Sequence, residues 1–187
     1  MARSLDVVLV VDVESTCWDG SPPPDQKSEI IEIGLCTVDL KTLVRTGKRS
    51  ILIKPVQSEI SDFCTQLTTL TPDMFEQAGS LADAAKILKN EYASKDKLWA
   101  SWGDYDRRQF ERVCKEQGVG YPFGPSHQNV KSLFAAATGI SHEVGLDGAF
   151  ERLGLEMEGT HHRGDDDAWN IALVLCRLLK AIRSEQP

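Results

Sequence analysis

Acidic residues occur in three clusters, each where a predicted strand or helix begins or ends. In the first cluster, Asp12 and Glu14 follow the apolar run Val7 to Val11. Residues two apart on a strand point to the same face, so both carboxylates project together from the strand end. Because adjacent carboxylates repel and are costly to bury, they favour a hard divalent cation such as Mg²⁺. Taken alone, the pair is more typical of a strand that runs out into solvent.

The second cluster is the segment WGDYDRRQF, which contains Asp104 and Asp106. It lies between a short predicted strand and a helix whose apolar face begins near Phe110. One of the two aspartates is expected to cap the N-terminus of that helix. The other is a candidate for metal binding.

The third cluster is the segment HHRGDDDAWNIALVLCRLL. Asp167 falls in the first turn of the last helix, and His162, which precedes Gly164, can fold back beside it. Adjacent aspartates in a first turn are also favoured by the helix dipole alone, and the histidines could be solvated loop residues. A register shifted by one residue would pair His161 with Asp166 at the same spacing.

The rest of the pattern predicts the elements that position these clusters. The strand candidates are VVLVVDVEST, EIIEIGLCTVD, Arg49 to Lys54, Leu98 to Trp102 and Gln128 to Lys131. Helices are predicted after Pro72, after a Ser80 cap, over Tyr105 to Gln117, over Leu146 to Leu153 and from Ala168 to Ile182. Three strands followed by helices that alternate with short strands indicate an α/β fold, with a mixed sheet covered by helices.

Composition narrows the class of protein. The chain has 187 residues with a net charge of −7, and we expect residues 1–187 to form a single domain. A nonspecific nucleic-acid coat protein is usually basic, so that class is disfavoured. The five scattered cysteines lack a C-x-x-C pair, which predicts reduced thiols rather than a disulfide scaffold. No segment approaches the ~20 apolar residues of a membrane span, so we expect a soluble, cytoplasmic protein without membrane association.

Taken together, the three clusters resemble the motifs of the DEDDh family of 3′–5′ exonucleases, which share the RNase H-like fold. The matching residues, in motif order, are Asp12 and Glu14, then Tyr105 and Asp106, then His162 and Asp167. The segments DVESTCW, EIIEIG, SDFCTQLTTLT, WGDYD and GDDDAWNIA are similar to the branch that contains histone-mRNA and small-RNA trimming enzymes. The resemblance implies an RNase H-like exonuclease fold with a mixed five-stranded sheet flanked by helices.

One departure from the family pattern lies in the second motif. An asparagine common there is absent, and its place falls near Ser101 or Trp102. The branch commonly lacks this asparagine. We recognise no appended nucleic-acid-binding domain, so we expect no targeting of substrate by a second domain.

The resemblance also implies a division of roles among the acidic residues and the histidine. Asp12 is expected to bridge two Mg²⁺ ions, for which Mn²⁺ is expected to substitute. Glu14 and Asp167 complete the site of the ion that activates water, and Asp106 acts on the second ion. His162 is expected to be the general base, because an imidazole titrates near neutral pH.

Three further residues are candidates for holding the 3′-terminal nucleotide. Thr16, just past the metal-binding strand, can offer its hydroxyl or backbone to the terminal sugar. Phe63 and Tyr105 are candidates for stacking on a base, although Phe63 fits core packing equally well.

The resulting hypothesis is a metal-dependent 3′–5′ exonuclease. It is expected to hydrolyse single-stranded RNA or short 3′ overhangs to 5′-mononucleotides, with RNA favoured over DNA and no protein partner evident.

A DNA-directed 3′–5′ exonuclease is an alternative, since the contact to a 2′-hydroxyl is not visible in sequence. A catalytically silent nucleic-acid-binding module on the same fold is a further alternative, but it would have no need of four acids and a placed histidine. A partner-binding adaptor lacks a long exposed apolar stripe to support it.

Overall fold

A computed structural model describes residues 5–184 of the chain. The strands are β1 (Val7–Ser15), β2 (Ile30–Asp39), β3 (Val44–Leu52), β4 (Leu98–Ser101) and β5 (His127–Asn129). The helices are α1 (Asp62–Thr68), α2 (Leu81–Tyr92), α3 (Tyr105–Glu116), α4 (Val130–Thr138), α5 (Leu146–Leu153) and α6 (Gly164–Ser184). A short 3-10 helix, Pro72–Phe75, lies between α1 and α2.

The five strands form one mixed sheet in the order β3-β2-β1-β4-β5. The first three strands are antiparallel neighbours, whereas β4 and β5 run parallel to β1 and to each other. The expected five-stranded mixed sheet flanked by helices is therefore confirmed. Within residues 5–184, no helix has both the length and the apolar character of a membrane span.

Residues on alternate positions of β1 pack into two different cores, as the two-residue period of a strand requires. Val8 and Val10 contact the layer formed by α4, α5 and α6. Leu9 and Val11 contact the layer formed by α2 and α3. The even-numbered residues of β1 therefore face α6, and this periodicity places Asp12 and Glu14 on that face.

Two predicted boundaries are wrong for a physical reason. Strand β3 begins at Val44 rather than Arg49. The apolar pattern did not show this start, because β3 is an edge strand whose first residues are largely exposed and polar. The predicted strand Gln128 to Lys131 instead spans His127–Asn129 and gives way to α4. Asn129 caps that helix by accepting a hydrogen bond from the Ser132 N–H at 3.0 Å.

Helix α1 was not predicted by the sequence pattern. Ser61 caps it by accepting a hydrogen bond from the Cys64 N–H at 3.0 Å, and Thr69 ends it in the left-handed conformation. Helix α1 packs beside the end of β1, where Cys64 is buried with Ile31. All five cysteines lie within the described residues and are free thiols, as expected.

Candidate active site

Two carboxylates from β1 and one from α6 meet at the end of the central strand. Ligand oxygens of Asp12, Glu14 and Asp167 all lie within 4.8 Å of one another. Asp12 and Glu14 reach this point because β1 places them on the face covered by α6. The three side chains offer oxygen ligands of the kind that hard divalent cations prefer.

The start of α6 packs directly against β2, because the two residues in contact there are both glycines. Gly34 of β2 lies opposite Asp12 of β1. A Cβ atom at Gly34 would lie 1.7 Å from the carbonyl carbon of Gly164, the first residue of α6. Both positions therefore require glycine for the helix to approach closely enough to deliver Asp167 to the β1 carboxylates.

Asp106 reaches the same region from the first turn of α3. Its side chain is buried, and its carboxylate accepts a hydrogen bond from the backbone N–H of Val13 at 3.0 Å. Asp104, at the residue before α3, makes no capping hydrogen bond with its side chain. It lies 3.4 Å from the Arg107 guanidinium instead. The expected capping of α3 by one of the two aspartates is therefore wrong for Asp104.

Burial and mutual repulsion raise the pKa values of these carboxyl groups. Burial, followed by the charges of Asp106 and Glu14, raises the pKa of Asp12 well above its ordinary value. Burial, followed by the charge of Asp167, raises the pKa of Glu14 to about 9. Burial raises the pKa of Asp106 to about 6, against the opposing hydrogen bond from Val13. Divalent cations would relieve this repulsion, so the donor set fits them.

The three adjacent aspartates of α6 have different surroundings. The carboxylate of Asp166 pairs with Lys48 and accepts a hydrogen bond from the Thr160 N–H at 2.8 Å. Asp167 is buried and belongs to the cluster with Asp12 and Glu14. Of the two registers open in the sequence, the geometry therefore groups Asp167, and not Asp166, with the β1 carboxylates.

Both histidines of the preceding loop contact Asp167. The Nδ1 atom of His161 lies 3.0 Å from one carboxylate oxygen, and the backbone N–H of His162 donates to the other at 2.9 Å. The two imidazole rings stack with their centroids 4.0 Å apart. His162 has a left-handed backbone, with φ of 64°, and burial followed by the neighbouring His161 lowers its pKa. A lowered pKa favours the neutral imidazole at pH 7.

Glu32 is a buried acid that the sequence reasoning did not single out. Its side chain accepts hydrogen bonds from the Arg163 guanidinium at 3.0 Å and from the Gly164 N–H at 2.8 Å. This ion pair engages Arg163 against the buried Glu32 carboxylate. The only signal in the sequence was an acid, Glu32, inside the apolar strand segment EIIEIG. Its partner Arg163 is 131 residues away, so the pairing is visible only in the fold.

The three candidates for substrate contact differ in exposure. Tyr105 is 55% exposed and its hydroxyl accepts a hydrogen bond from Gln109 at 2.6 Å. Phe63, on α1, is 37% exposed, so it is not a core residue.

Thr16 is placed differently from the expectation. It is buried, its hydroxyl accepts a hydrogen bond from the Glu29 N–H at 2.9 Å, and its own N–H donates to the Glu29 carbonyl. In this conformation neither its hydroxyl nor its N–H is free to contact a sugar. Thr16 instead anchors the segment around Glu29 against the end of β1.

Comparison with known families agrees with this arrangement of elements. The sequence model of the family described as Exonuclease (RNase_T) matches residues 9–175. The chain belongs to this exonuclease family. The match spans β1 through most of α6, and so contains each of the acidic clusters.

Individual relatives are similar along nearly the whole chain. Human 3'-5' exoribonuclease 1 is 27% identical over 185 residues, covering 94% of this chain and 53% of the relative. The chain thus spans about half the length of that relative. The probable 3'-5' exonuclease KapD of Bacillus subtilis is 24% identical, covering 96% of this chain and 85% of the relative.

A solved structure gives the same answer for the fold. The nuclease domain of 3'hExo, described as a DEDDh family member bound to rAMP, superposes with a TM-score of 0.83 at 25% identity. The match covers 95% of this chain and 93% of that domain. The resemblance to DEDDh exonucleases and the expected exonuclease fold are both confirmed.

Proposed function

We propose that this exonuclease-family chain is a metal-dependent 3′–5′ exonuclease that hydrolyses single-stranded RNA or short 3′ overhangs to 5′-mononucleotides. The observation that carries the proposal is the meeting of Asp12, Glu14 and Asp167 within 4.8 Å. Buried acids that repel one another destabilise a fold unless a cation compensates them. The loss of folding stability that these acids cause is consistent with a functional site.

The acidic residues would hold two Mg²⁺ ions, for which Mn²⁺ would substitute. Asp12 would contact both ions, Glu14 and Asp167 would complete one site, and Asp106 would act at the other. When bound, two such ions activate a water and stabilise charge on the attacking and leaving oxygens of a phosphodiester. The chain's own contribution is to hold these oxygens at fixed positions on β1, α3 and α6.

His162 would accept the proton of the attacking water as general base. Its position is supported by the 2.9 Å hydrogen bond from its backbone N–H to Asp167, which ties the loop to the acidic cluster. His161 is the competing residue, because its imidazole contacts the same carboxylate at 3.0 Å. A cation bound by Asp167 would compete with His161 for that oxygen, which would leave the His161 ring without this partner.

Aromatic side chains would hold the terminal base. Tyr105 directly precedes Asp106, and its ring is exposed while Gln109 fixes its hydroxyl. Phe63 presents a partly exposed ring from α1, which packs at the end of β1. Stacking on such rings contributes about 1–3 kcal/mol per base in single-strand binders. Thr16 would act through the chain it anchors, by supporting the end of β1.

RNA is the proposed substrate in preference to DNA. The support is that the similar human protein is named as an exoribonuclease and that the similar nuclease domain has rAMP bound. We further propose that residues 1–187 act as one exonuclease domain in a reducing compartment such as the cytoplasm. The five free thiols fit that compartment.

Digestion of matched end-labelled oligonucleotides tests the proposal. RNA and DNA of one sequence, each with a 3′-hydroxyl or a 3′-phosphate, are incubated with Mg²⁺ or Mn²⁺ and separated on a gel. The expected result is a descending ladder from 5′-labelled RNA with a 3′-hydroxyl, and little digestion of the 3′-phosphate form. Faster digestion of DNA would assign the chain to the DNA-directed alternative. Cleavage of circular single-stranded RNA would show an endonuclease and overturn the proposed direction.

A further inference from the structure

A groove lies between the C-terminal half of α6 and the turn that joins β2 to β3. Its volume is about 600 Å³. Four cationic side chains line it: Lys41 from the turn, and Arg177, Lys180 and Arg183 from α6. No acidic residue is among those that line it in the described part of the chain. We call this feature the basic groove.

Within residues 5–184, the cations of the basic groove have no ion-pair partners. Lys86, in contrast, pairs with Asp83 at 3.1 Å on another helix. The Arg183 guanidinium donates to the Leu40 carbonyl, which carries no net charge. Uncompensated cations gathered in one groove favour an anionic ligand, and they do so in a protein whose net charge is −7.

The nearest acid along the chain, Asp39, is engaged in the turn itself. One of its carboxylate oxygens accepts hydrogen bonds from the N–H groups of Lys41 at 3.0 Å and Thr42 at 2.7 Å. It also accepts from the Thr42 hydroxyl at 2.8 Å. These contacts lower the pKa of Asp39, the Thr42 N–H contributing most. The Asp39 carboxylate therefore acts mainly in the turn, and of the groove cations only Lys41, its near neighbour, is attracted to it in this set of contacts.

Helix α6 connects the acidic site to the basic groove. Asp167 lies in its first turn, and Arg177 and Arg183 follow ten and sixteen residues later. At 1.5 Å per residue these separations are about 15 Å and about 24 Å. One strand of nucleic acid advances about 3.4 Å per stacked nucleotide, so the groove lies roughly four to seven nucleotides from the site.

Further cations lie along α6 between the acidic site and the basic groove. Lys48 of β3 pairs with Asp166 near the start of α6. Arg45 of β3 stacks over the ring of Trp169 at 4.3 Å and contacts Glu158 at 2.9 Å. Asp166 and Trp169 share with Leu173, Arg177 and Lys180 the spacing of three or four residues that defines one face of a helix. The basic groove therefore lies at the end of a row of side chains along the β3 side of α6, in which Lys48 and Arg45 are paired with acids and the groove cations are not.

We propose that the basic groove binds backbone phosphates of the RNA strand, about four to seven nucleotides upstream of the 3′ end held at the acidic site. This inference rests on the proposed exonuclease function and adds a second contact for the same substrate. Short RNAs occupy the acidic site alone, whereas longer RNAs also reach the groove. Because the contacts are to phosphates, they are independent of sequence and sensitive to salt.

The test compares two RNAs that share a 3′ sequence, one of 4 and one of 14 nucleotides, and measures kcat/KM for release of the first nucleotide. The variant is Arg177→Glu with Lys180→Glu. The matched control is Lys115→Glu with Arg152→Glu, two exposed cations on α3 and α5 whose reversal changes the net charge equally. Circular dichroism and Tm check that all proteins are folded. Anisotropy with a 14-nucleotide RNA blocked by a 3′-phosphate measures binding independently of cleavage.

The groove variant is expected to lose about tenfold in kcat/KM for the long RNA and to retain the wild-type value for the short one. Losing two phosphate contacts should also make the slope of log affinity against log salt shallower by about 1.4. If the wild-type protein cleaves both RNAs and the groove variant has the same ratio of long-to-short kcat/KM, the groove does not bind RNA. That result would leave the proposed function intact. A wild-type protein that cleaves neither RNA, but whose binding of the blocked RNA is weakened by the groove variant alone, would overturn the proposed function and retain the groove.

Discussion

Glu14 and Glu32 lie opposite each other across the antiparallel β1–β2 pair, but their surroundings differ. Glu32 receives the Arg163 guanidinium and the Gly164 N–H. Glu14 makes no ion pair with any residue from 5 to 184, and burial followed by repulsion from Asp167 and Glu32 raises its pKa to about 9. A compensated acid thus supports the start of α6, beside an uncompensated acid that fits a cation.

Metal-free protein is expected to lose stability as the pH rises. Between the ordinary carboxyl value of 4.5 and about 9, Glu14 binds more protons in the folded than in the unfolded state. The free energy of unfolding therefore falls with rising pH across that window. Tm measured in EDTA from pH 5 to pH 9 should decrease, and Glu14→Gln should make the decrease shallower. Excess Mg²⁺ should raise Tm most at high pH. A Tm that rises with pH in EDTA would contradict the raised pKa.

Substitutions at His162 and Asp167 are expected to have different effects on cleavage rate and Mn²⁺ affinity. His162→Ala removes the proposed base and leaves every carboxylate, so the rate should fall ~10²–10⁴-fold with Mn²⁺ affinity nearly unchanged. Asp167→Ala removes a proposed ligand, so Mn²⁺ affinity should fall together with the rate. Calorimetric Mn²⁺ titration and single-turnover RNA cleavage separate the two outcomes.

Neighbouring residues provide the controls for that pair. Asp166→Ala should keep Mn²⁺ affinity, because the Asp166 carboxylate is engaged by Lys48 and Thr160 outside the cluster. His161→Ala should keep most of the rate, since its ring lies in the more exposed position. An inactive His161→Ala beside an active His162→Ala would transfer the role of base to His161.

Gly34→Ala is expected to disrupt the packing of α6 on the sheet. The added Cβ would meet the Gly164 backbone at 1.7 Å, and backbone cannot move aside as a flexible side chain can. We expect a loss of about 3 kcal/mol or more in the free energy of unfolding, measured by urea denaturation. Gly79→Ala is the control, because its Cβ would have its nearest contact at 3.4 Å. A Gly34→Ala protein as stable as wild type would show that α6 does not require this approach.

Glu32→Gln is expected to destabilise the start of α6. The substitution leaves Arg163, whose side chain is 22% exposed, without its charged partner, at a cost of roughly 3 kcal/mol. Ser50→Ala is the control, since it removes one hydrogen bond to the same carboxylate and should cost about 1 kcal/mol. Equal urea midpoints for Glu32→Gln and wild type would contradict the supporting role of this ion pair.

Local periodicity accounts for the parts of the structure that the sequence predicted well. The two-residue period of β1 placed Asp12 and Glu14 on one face, and helical spacing placed both ends of α5 correctly at Leu146 and Leu153. The start of β3 was missed because an edge strand needs little apolar surface. The pattern could not show this, since it does not reveal which strands are central.

Long-range contacts account for what local patterns could not predict. Glu32 owes its role to Arg163, 131 residues away, and Thr16 is buried because the segment at Glu29 folds over it. The choice between Asp166 and Asp167 also depends on β3, whose Lys48 engages Asp166. Each of these depends on which elements become neighbours, and spacing along the chain does not contain that information.

The identity of the first product released from RNA tests the central claim most directly. An RNA labelled in its 3′-terminal nucleotide, with a free 3′-hydroxyl, is mixed with the protein in Mg²⁺ and in EDTA, and the labelled product is identified by chromatography. We predict a 5′-mononucleotide as the first labelled product in Mg²⁺ and no release in EDTA. A labelled oligonucleotide as the first product, or equal release in EDTA, would contradict a metal-dependent 3′–5′ exonuclease built on Asp12, Glu14 and Asp167.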